Sequence, residues 1–520
     1  MARAVSGRGR RWLLIAVGLS LLLRLPFLRL PMISDEGGYA YVAQRWLDGR
    51  GHLYDDLWVS RPQGIFAAYG VIQQTLGPSV ADLRLGAWLA SVFTLVFVWR
   101  YTREWAGRGT AAMAAGIFAV VAAAPTIEGF TANAEVFLAL PSAVALWLLL
   151  RLQADRWPAA NLLAIGGLAG MATLLKPSGV VVVPIAVGFL WFEGAAGVRT
   201  ALRRSAVVTA GFGAALAPAF VHGWLIGWDD FLFASITYRL QHQSSLTVGP
   251  LDHAVSLGRM LLHSWWLLAA TLVPLWGRQR SIHGRLIAAL PGGFWSFVRS
   301  SLEPASVLRR IQTGGRDPGG TLLRLWLFGC VVGIAMGGDW WAHYLIQIAG
   351  PLAIGLAIFV RDAAPAIAPY RRFAFGAVAA LLLCVPYRVV AIDDPNDRSL
   401  ALFHNVGYPY EEAVARYLRE ETPPETPIYV AFNTAAIYYL ADRPSTYRYF
   451  FNQELLAFPD AEAELVAMLG SPERPEYVVR TGMPAPFPDD GRAFWVAVDR
   501  HYQVQALIGP ATIYRATEPR

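Results

Sequence analysis

The feature that most restricts this chain is a series of apolar runs of about the length that crosses a bilayer. A hydrocarbon core about 30 Å thick needs about 20 apolar residues of helix, and inside lipid the backbone must satisfy its own hydrogen bonds. About eleven stretches qualify: 12–30, 82–101, 109–126, 134–151, 159–175, 178–193, 206–226, 255–276, 321–338, 343–360 and 373–392. The 520 residues are 55% hydrophobic and 16% charged, against about 25% charged for a soluble domain, so the charges are too few to cover a water-facing surface. This pattern excludes disorder, a collagen or coiled-coil fibre and a disulfide scaffold. The two cysteines, Cys330 and Cys384, sit inside apolar runs and read as neither a bridge nor metal ligands.

Lysine and arginine set orientation. The net charge of +7 would raise nucleic acid as a partner for a soluble protein. Here the bases fall between apolar runs instead of forming one stripe, so topology accounts for them and no nucleic acid is expected. Placing Arg3, Arg8, Arg10 and Arg11 in the cytoplasm puts Arg100, Arg103 and Arg108, Arg151 and Arg156, Arg199, Arg203 and Arg204, and Arg361, Arg371 and Arg372 on the same side. The opposite loops are richer in acids, although the first also holds Arg45, Arg50 and Arg61. The expectation is a multi-pass protein of the cell (inner) membrane with a cytoplasmic N-terminus, an uncleaved first span, and a tail outside. Arg24, near the outer end of that span, either snorkels or faces the bundle interior. The connection 278–320 mixes Arg with Phe294, Trp295, Phe297 and Leu308, as in a helix lying on the inner leaflet.

The predicted organisation is therefore all-α and polytopic over 1–392, with a long first outer loop at 31–81, followed by a small extracytoplasmic α/β domain at 393–520. In that tail, Asp393–Asp397 reads as a polar turn, 411–421 has helical spacing, and 428–432, 477–480 and 512–515 read as strands. In the first loop, Tyr41, Val42, Trp46 and Leu47 have the spacing of a short helix lying against the membrane. A second helix is expected from Pro62 to Leu76, ended by Gly77-Pro78.

The residues able to carry chemistry concentrate on the outer side. Asp35 and Glu36 follow the first span, where a carboxylate can deprotonate a hydroxyl, bind a divalent cation, or do neither. Glu135 opens an apolar helix, where an acid also suits the helix dipole, and Glu128 lies on the same side. Acids from separate spans can converge in one cavity, and ionisable groups at membrane depth are functional candidates. Lys176 is the only lysine in the chain and sits in an outer turn against the charge rule, where a compact ammonium suits a phosphate at headgroup level. Arg61 and Arg239 are further cations, each also explicable as a headgroup contact. Asp339-Trp340-Trp341-Ala342-His343-Tyr344 opens a late span; its aromatics fit an interfacial belt, and His343 is a hydrogen-bonding residue or a site residue. No metal-ligand spacing, nucleophile elbow, phosphate loop or dinucleotide fingerprint appears in the required context.

Together these residues are familiar. A basic N-terminus, one span and Asp35-Glu36 in a long loop resemble the GT-C superfamily of polyprenol-phosphate-sugar-dependent glycosyltransferases. The resemblance is strongest to the bacterial protein O-mannosyltransferase-like (PMT_2 type) group of family 39. Asn133-Ala134-Glu135, Leu175-Lys176-Pro177, and His343-Tyr344 followed by Gln347 and Pro351 fall in family-like order. The likeness covers 12–392 and, more loosely, the rest. One departure is Arg61-Pro62-Gln63, where many members carry Lys-Pro-Pro.

The resemblance implies a sugar joined through one phosphate to a polyprenol, transferred with inversion to a hydroxyl of protein, lipid or envelope glycan. It implies Asp35 as base with Glu36 beside it, and Lys176, Arg61 and Arg239 on the donor phosphate. Glu135, Glu128, Tyr39, His343 and Tyr344 are left to line the site or orient the acceptor. A divalent cation stays open, with Asp35 and Glu36 its ligands if one is used. Two alternatives compete: a transporter or flippase of a lipid-linked substrate, and a ligase of preassembled glycans. The charges crowd one face and no internal repeat is visible, whereas transporters are often built from repeats. A ligase would carry its long outer loop late among the spans.

Overall fold

In the computed structural model, residues 2–152, 158–193, 197–241, 249–267, 269, 317–363, 371–432, 435–455 and 458–517 are described. The amphipathic connection expected around Phe294, Trp295, Phe297 and Leu308 lies outside them. The chain divides into two compact units. The first comprises Met1–Pro26, Leu85–Ala219 and Gly249–Arg388; the second comprises Phe27–Arg84, Phe220–Val248 and Val389–Arg520.

The helices include α1 (Ala2–Leu22), α2 (Ser34–Leu47), α3 (Gln63–Thr75), α4 (Val80–Ala106), α5 (Arg108–Val121), α6 (Ala134–Arg151), α7 (Ala159–Leu175), α8 (Val182–Glu193) and α9 (Val198–Ile226), with further helices after them. Among the described residues five helices are long and apolar enough to cross a membrane: Val80–Ala106, Ala134–Arg151, Val198–Ile226, Pro318–Ala335 and Ala342–Asp362. Shorter apolar helices cover Arg108–Val121, Ala159–Leu175, Pro177–Trp191 and Phe375–Ala391.

The first unit is a helical bundle. α6 packs against α7, and α5 lies against both α1 and the helix Ala349–Ala363. Gly166 allows α7 and α9 to meet backbone to backbone: a Cβ there would stand 1.9 Å from the Val208 carbonyl oxygen. Close approach of this kind lets membrane helices pack by van der Waals contact where lipid removes the hydrophobic incentive. Arg24 faces the interior of this unit, not the headgroups. It is 1% exposed and donates to the Ser20 and Ala122 carbonyls at 3.0 and 2.7 Å and to Ser91 Oγ at 3.0 Å. Two of the expected spans begin with tight 3₁₀ turns, Pro177–Val181 and Ala342–Ile348, before the α-helix proper. At the first, Pro177 lacks a donor and pushes Lys176 out of the helical region, to φ −157°, so α7 must end there.

The second unit brings the first loop together with Phe220–Val248 and the C-terminal segment Val389–Arg520. Its sheet has the order β1 (Ile428–Ala431), β2 (Tyr477–Arg480), β4 (Ala511–Ala516), β3 (Tyr502–Ile508). β1 pairs in parallel with β2, with Ile428 opposite Tyr477, while β2–β4 and β3–β4 are antiparallel. Helices Tyr408–Glu421, Ala461–Leu469 and Arg492–His501 complete the α/β layer. The expected strands are present; β3, whose Gln503, Val504 and Gln505 are all exposed, escaped the alternation pattern. The turn expected at 393–397 is instead a helix start: Asp394 Oδ1 accepts from the Asn396 and Asp397 amides at 2.7 and 3.0 Å and caps Pro395–Phe403.

Both helices expected in the first loop form, and α2 is packed against C-terminal residues of its unit. Its Tyr41 ring lies 5.5 Å from Tyr438 and 5.4 Å from Phe450, and the Tyr41 hydroxyl accepts the Ser445 amide at 2.9 Å. Arg50 pairs with Asp442 at 3.2 Å, and Trp58 sits among Tyr238, Tyr449 and Phe458. Gly37 makes this docking possible, because a Cβ there would stand 2.4 Å from the Cα of Ala436. Gly37→Ala is therefore expected to destabilise the protein by about 1–3 kcal/mol. Gly116→Ala, with open space around it, should be neutral or mildly stabilising. Thermal unfolding of the two variants in the same detergent decides the point; equal melting temperatures would refute the tight docking of α2.

Candidate active site

The sequence candidates fall into two clusters, one inside each unit. In the first unit, Glu135 lies in the first turn of α6, Lys176 caps the end of α7, and His343 and Tyr344 lie in the 3₁₀ turn Ala342–Ile348. Lys176 Nζ pairs with Glu135 Oε1 and stands 3.9 Å from the centre of the Tyr344 ring. An ammonium over an aromatic face gains from the ring quadrupole. His343 bridges two acids, with Nδ1 3.2 Å from Glu128 Oε2 and Nε2 3.8 Å from Glu135 Oε1. Glu128 holds a left-handed backbone, φ 57°, and accepts from Asn133 Nδ2 at 3.0 Å. Lys176, Glu135, His343, Glu128 and Tyr344 thus form one cluster of alternating charge, which local sequence spacing does not reveal. Gln347 extends it, accepting from Ser178 Oγ at 3.0 Å.

In the second unit, Asp35 and Glu36 share the first turn of α2 but have different surroundings. Glu36 is fully buried in a bidentate pair with Arg84: Nε to Oε1 at 2.9 Å and Nη2 to Oε2 at 2.7 Å. Arg84 spends its other donors on the carbonyls of Phe27, Leu30 and Pro31, at 2.7, 2.9 and 3.0 Å. Asp35, one residue away, is half-buried and accepts no hydrogen bond among the described residues. With both Glu36 oxygens engaged by Arg84, Asp35 and Glu36 do not offer a shared open ligand set for a cation. Among the described residues no group of three or more His, Cys, Asp or Glu is placed to hold a metal.

Arg61, Arg239 and Tyr39 also come together in this unit. Arg61 donates from Nε to the Tyr39 hydroxyl at 3.1 Å and from Nη1 to the Ser60 carbonyl at 3.1 Å. Arg239 Nε donates to that same carbonyl at 3.1 Å. A π-type turn, Phe233–Thr237, precedes Arg239; such turns are frequent at functional sites.

Two residues of this neighbourhood were not read from the sequence. Arg84 had a signal: a base at the outer end of an apolar span, against the positive-inside trend. Glu454 had none. It is 5% exposed, and its Oε1 accepts both the Ser60 amide at 3.0 Å and Ser60 Oγ at 3.2 Å. Burial pushes its carboxyl up to about 8, with the Ser60 hydrogen bonds and Arg61 opposing the shift and Asp35 adding to it.

The described residues hold a helical bundle and a small α/β layer built on a four-stranded sheet. Residues 62–224 match the model of the dolichyl-phosphate-mannose-protein mannosyltransferase family. Among solved structures, the chain is similar to ArnT from Cupriavidus metallidurans bound to undecaprenyl phosphate, with TM-score 0.59 and 15% identity over 97% of each chain. It is also similar to the oligosaccharyltransferase of Archaeoglobus fulgidus in complex with Zn and sulfate, with TM-score 0.53 and 17% identity over 90% of this chain and 67% of that one. The archaeal oligosaccharyltransferase AglB in complex with an inhibitory peptide and a dolichol-phosphate gives TM-score 0.53 and 15% identity over 91% and 69%. No curated protein sequence matches the chain. The protein is a multi-pass membrane protein with this fold.

Proposed function

We propose that the chain is a membrane glycosyltransferase that moves a sugar from a polyprenyl-phosphate donor to a hydroxyl acceptor at the outer face, with inversion. The observation that carries this reading is the division of labour in the Asp35-Glu36 pair: one acid is locked into the fold and its half-buried neighbour has no hydrogen-bond partner among the described residues. The fold and the family match over 62–224 support it, since two of the structures it resembles were solved with undecaprenyl phosphate and with a dolichol-phosphate.

The roles follow residue by residue. Asp35 accepts the acceptor's hydroxyl proton as its oxygen attacks the anomeric carbon. The bond from that carbon to the phosphate oxygen breaks, and polyprenyl phosphate departs with the electron pair. Its charge is met by Lys176, which Glu135 and Tyr344 hold in place, and by Arg61 and Arg239. Glu36 acts through Arg84 by fixing the start of α2 and so the direction of Asp35. His343 and Glu128 set the charge around Glu135, and Tyr39 orients Arg61.

The test is to incubate the purified protein in lipid with a panel of polyprenyl-phosphate sugars and follow release of polyprenyl phosphate. Lys176→Ala should reduce turnover by about 100-fold, as for loss of one preorganised charge stabiliser in a transition state. Lys176→Arg should recover only part, because a planar fork replaces a point charge. Release by none of the panel, or an undiminished rate in Lys176→Ala, would overturn the reading.

A further inference from the structure

We propose that Glu454, from the C-terminal half, is a positioning residue for the cation pair Arg61 and Arg239. It does so by anchoring Ser60, the residue whose carbonyl receives both guanidinium groups. The proposal rests on the assignment of those arginines to the donor phosphate.

The geometry is a short relay. Glu454 Oε1 takes two donors from Ser60, the amide at 3.0 Å and the hydroxyl at 3.2 Å. The Ser60 carbonyl is thereby held where Arg61 Nη1 and Arg239 Nε each reach it at 3.1 Å. Two guanidinium groups converging on one carbonyl repel each other, so the arrangement persists only if the peptide that gathers them is fixed from behind. The hydroxyl of Tyr54, donating to the Arg61 carbonyl at 2.9 Å, fixes the next peptide. Glu454 bonds Ser60 and makes no ion pair with either arginine among the described residues.

Its protonation state explains why that matters. With both Ser60 donors on Oε1, the proton belongs on Oε2, which is buried and has no partner among the described residues. A neutral carboxyl anchors Ser60 without adding a negative charge for the guanidinium groups to pair with. The charged and titratable groups facing it are Arg61, Asp35 and Tyr449. Ionisation, as pH passes about 8, sets a buried negative charge beside Arg61 and Asp35. Arg61 is then drawn back toward Glu454 and away from a phosphate.

The test measures polyprenyl phosphate binding to the full protein in lipid nanodiscs from pH 6.5 to 9.5, together with donor KM and kcat. Glu454→Ala should weaken binding about tenfold and raise KM more than it lowers kcat, since a buried donor pair loses its acceptor. Glu454→Gln keeps the acceptor oxygen and shape, so binding near neutrality should stay within about threefold of wild type. It should also abolish the loss of affinity that wild type shows above pH about 8. Hydrogen exchange at the Ser60 amide supplies a readout independent of donor: faster in Glu454→Ala, preserved in Glu454→Gln. Unchanged binding and exchange in Glu454→Ala, or an alkaline loss that persists in Glu454→Gln, would overturn the proposal. If wild type binds no polyprenyl phosphate while the exchange pattern holds, the donor assignment fails and the anchoring role stands.

Discussion

Asp35→Asn is expected to lower sugar transfer at least about 100-fold while the protein still folds and still binds polyprenyl phosphate. The substitution keeps the shape and removes only the proton-accepting charge. Asp35 has no hydrogen-bond partner among the described residues, so no structural bond is lost. Its place in the first turn of α2 contributes some dipole stabilisation, but this amounts to less than about 1 kcal/mol for an exposed or half-exposed group. Activity and stability should therefore separate. Binding of polyprenyl phosphate should survive because the bound anion does not need the base. Asp35→Glu makes the comparison sharper: the carboxylate is retained but displaced by one methylene, so partial activity is expected. An Asp35→Asn protein that transfers sugar at the wild-type rate would remove Asp35 from the mechanism.

The second large effect lies next door and is of the opposite kind. Arg84→Met should destabilise the protein by about 3–5 kcal/mol, because it leaves the Glu36 carboxylate buried without its cation. Both side chains are fully excluded from solvent, and the Phe27, Leu30 and Pro31 carbonyls lose their donor with the same change. Glu36→Gln alone should also cost stability, by stranding a buried guanidinium. The double variant should recover part of the loss, since the two residues form one unit and their effects are not additive. Thermal unfolding of the four proteins closes this cycle. If Arg84→Met melted where wild type does, the pair would not be holding the 27–36 segment, and the reading of Glu36 as the support of Asp35 would fall. Neighbouring acids are thus expected to fail differently, one in catalysis and the other in folding.

Much of this protein was legible in its amino-acid order. Apolar runs of membrane length and the proline after Lys176 are local signals, and the thickness of a bilayer and its lack of hydrogen-bonding partners leave such runs few alternatives to helix. The strands read at 428–432 and 477–480 and the helix read at 411–421 were visible for the same reason, their periodicity being set within a few residues, and they form at Ile428–Ala431, Tyr477–Arg480 and Tyr408–Glu421. Asp35, Glu36, Lys176 and Glu135 were recognisable as charges in places where charge is expensive.

What each of those charges does was decided only by tertiary contact. Nothing in Asp35-Glu36 says which acid is buried, because the answer comes from Arg84, 48 residues on. Nothing near Arg61 points to Glu454, which reaches Ser60 across 394 residues of chain. The first loop reads as part of the 1–392 membrane domain, yet α2 and α3 belong to one compact unit with the C-terminal segment Val389–Arg520. The physical reason is common to all three. Local sequence determines whether a residue is helical and whether its charge is costly, whereas the partner that offsets the cost is chosen by how distant segments pack.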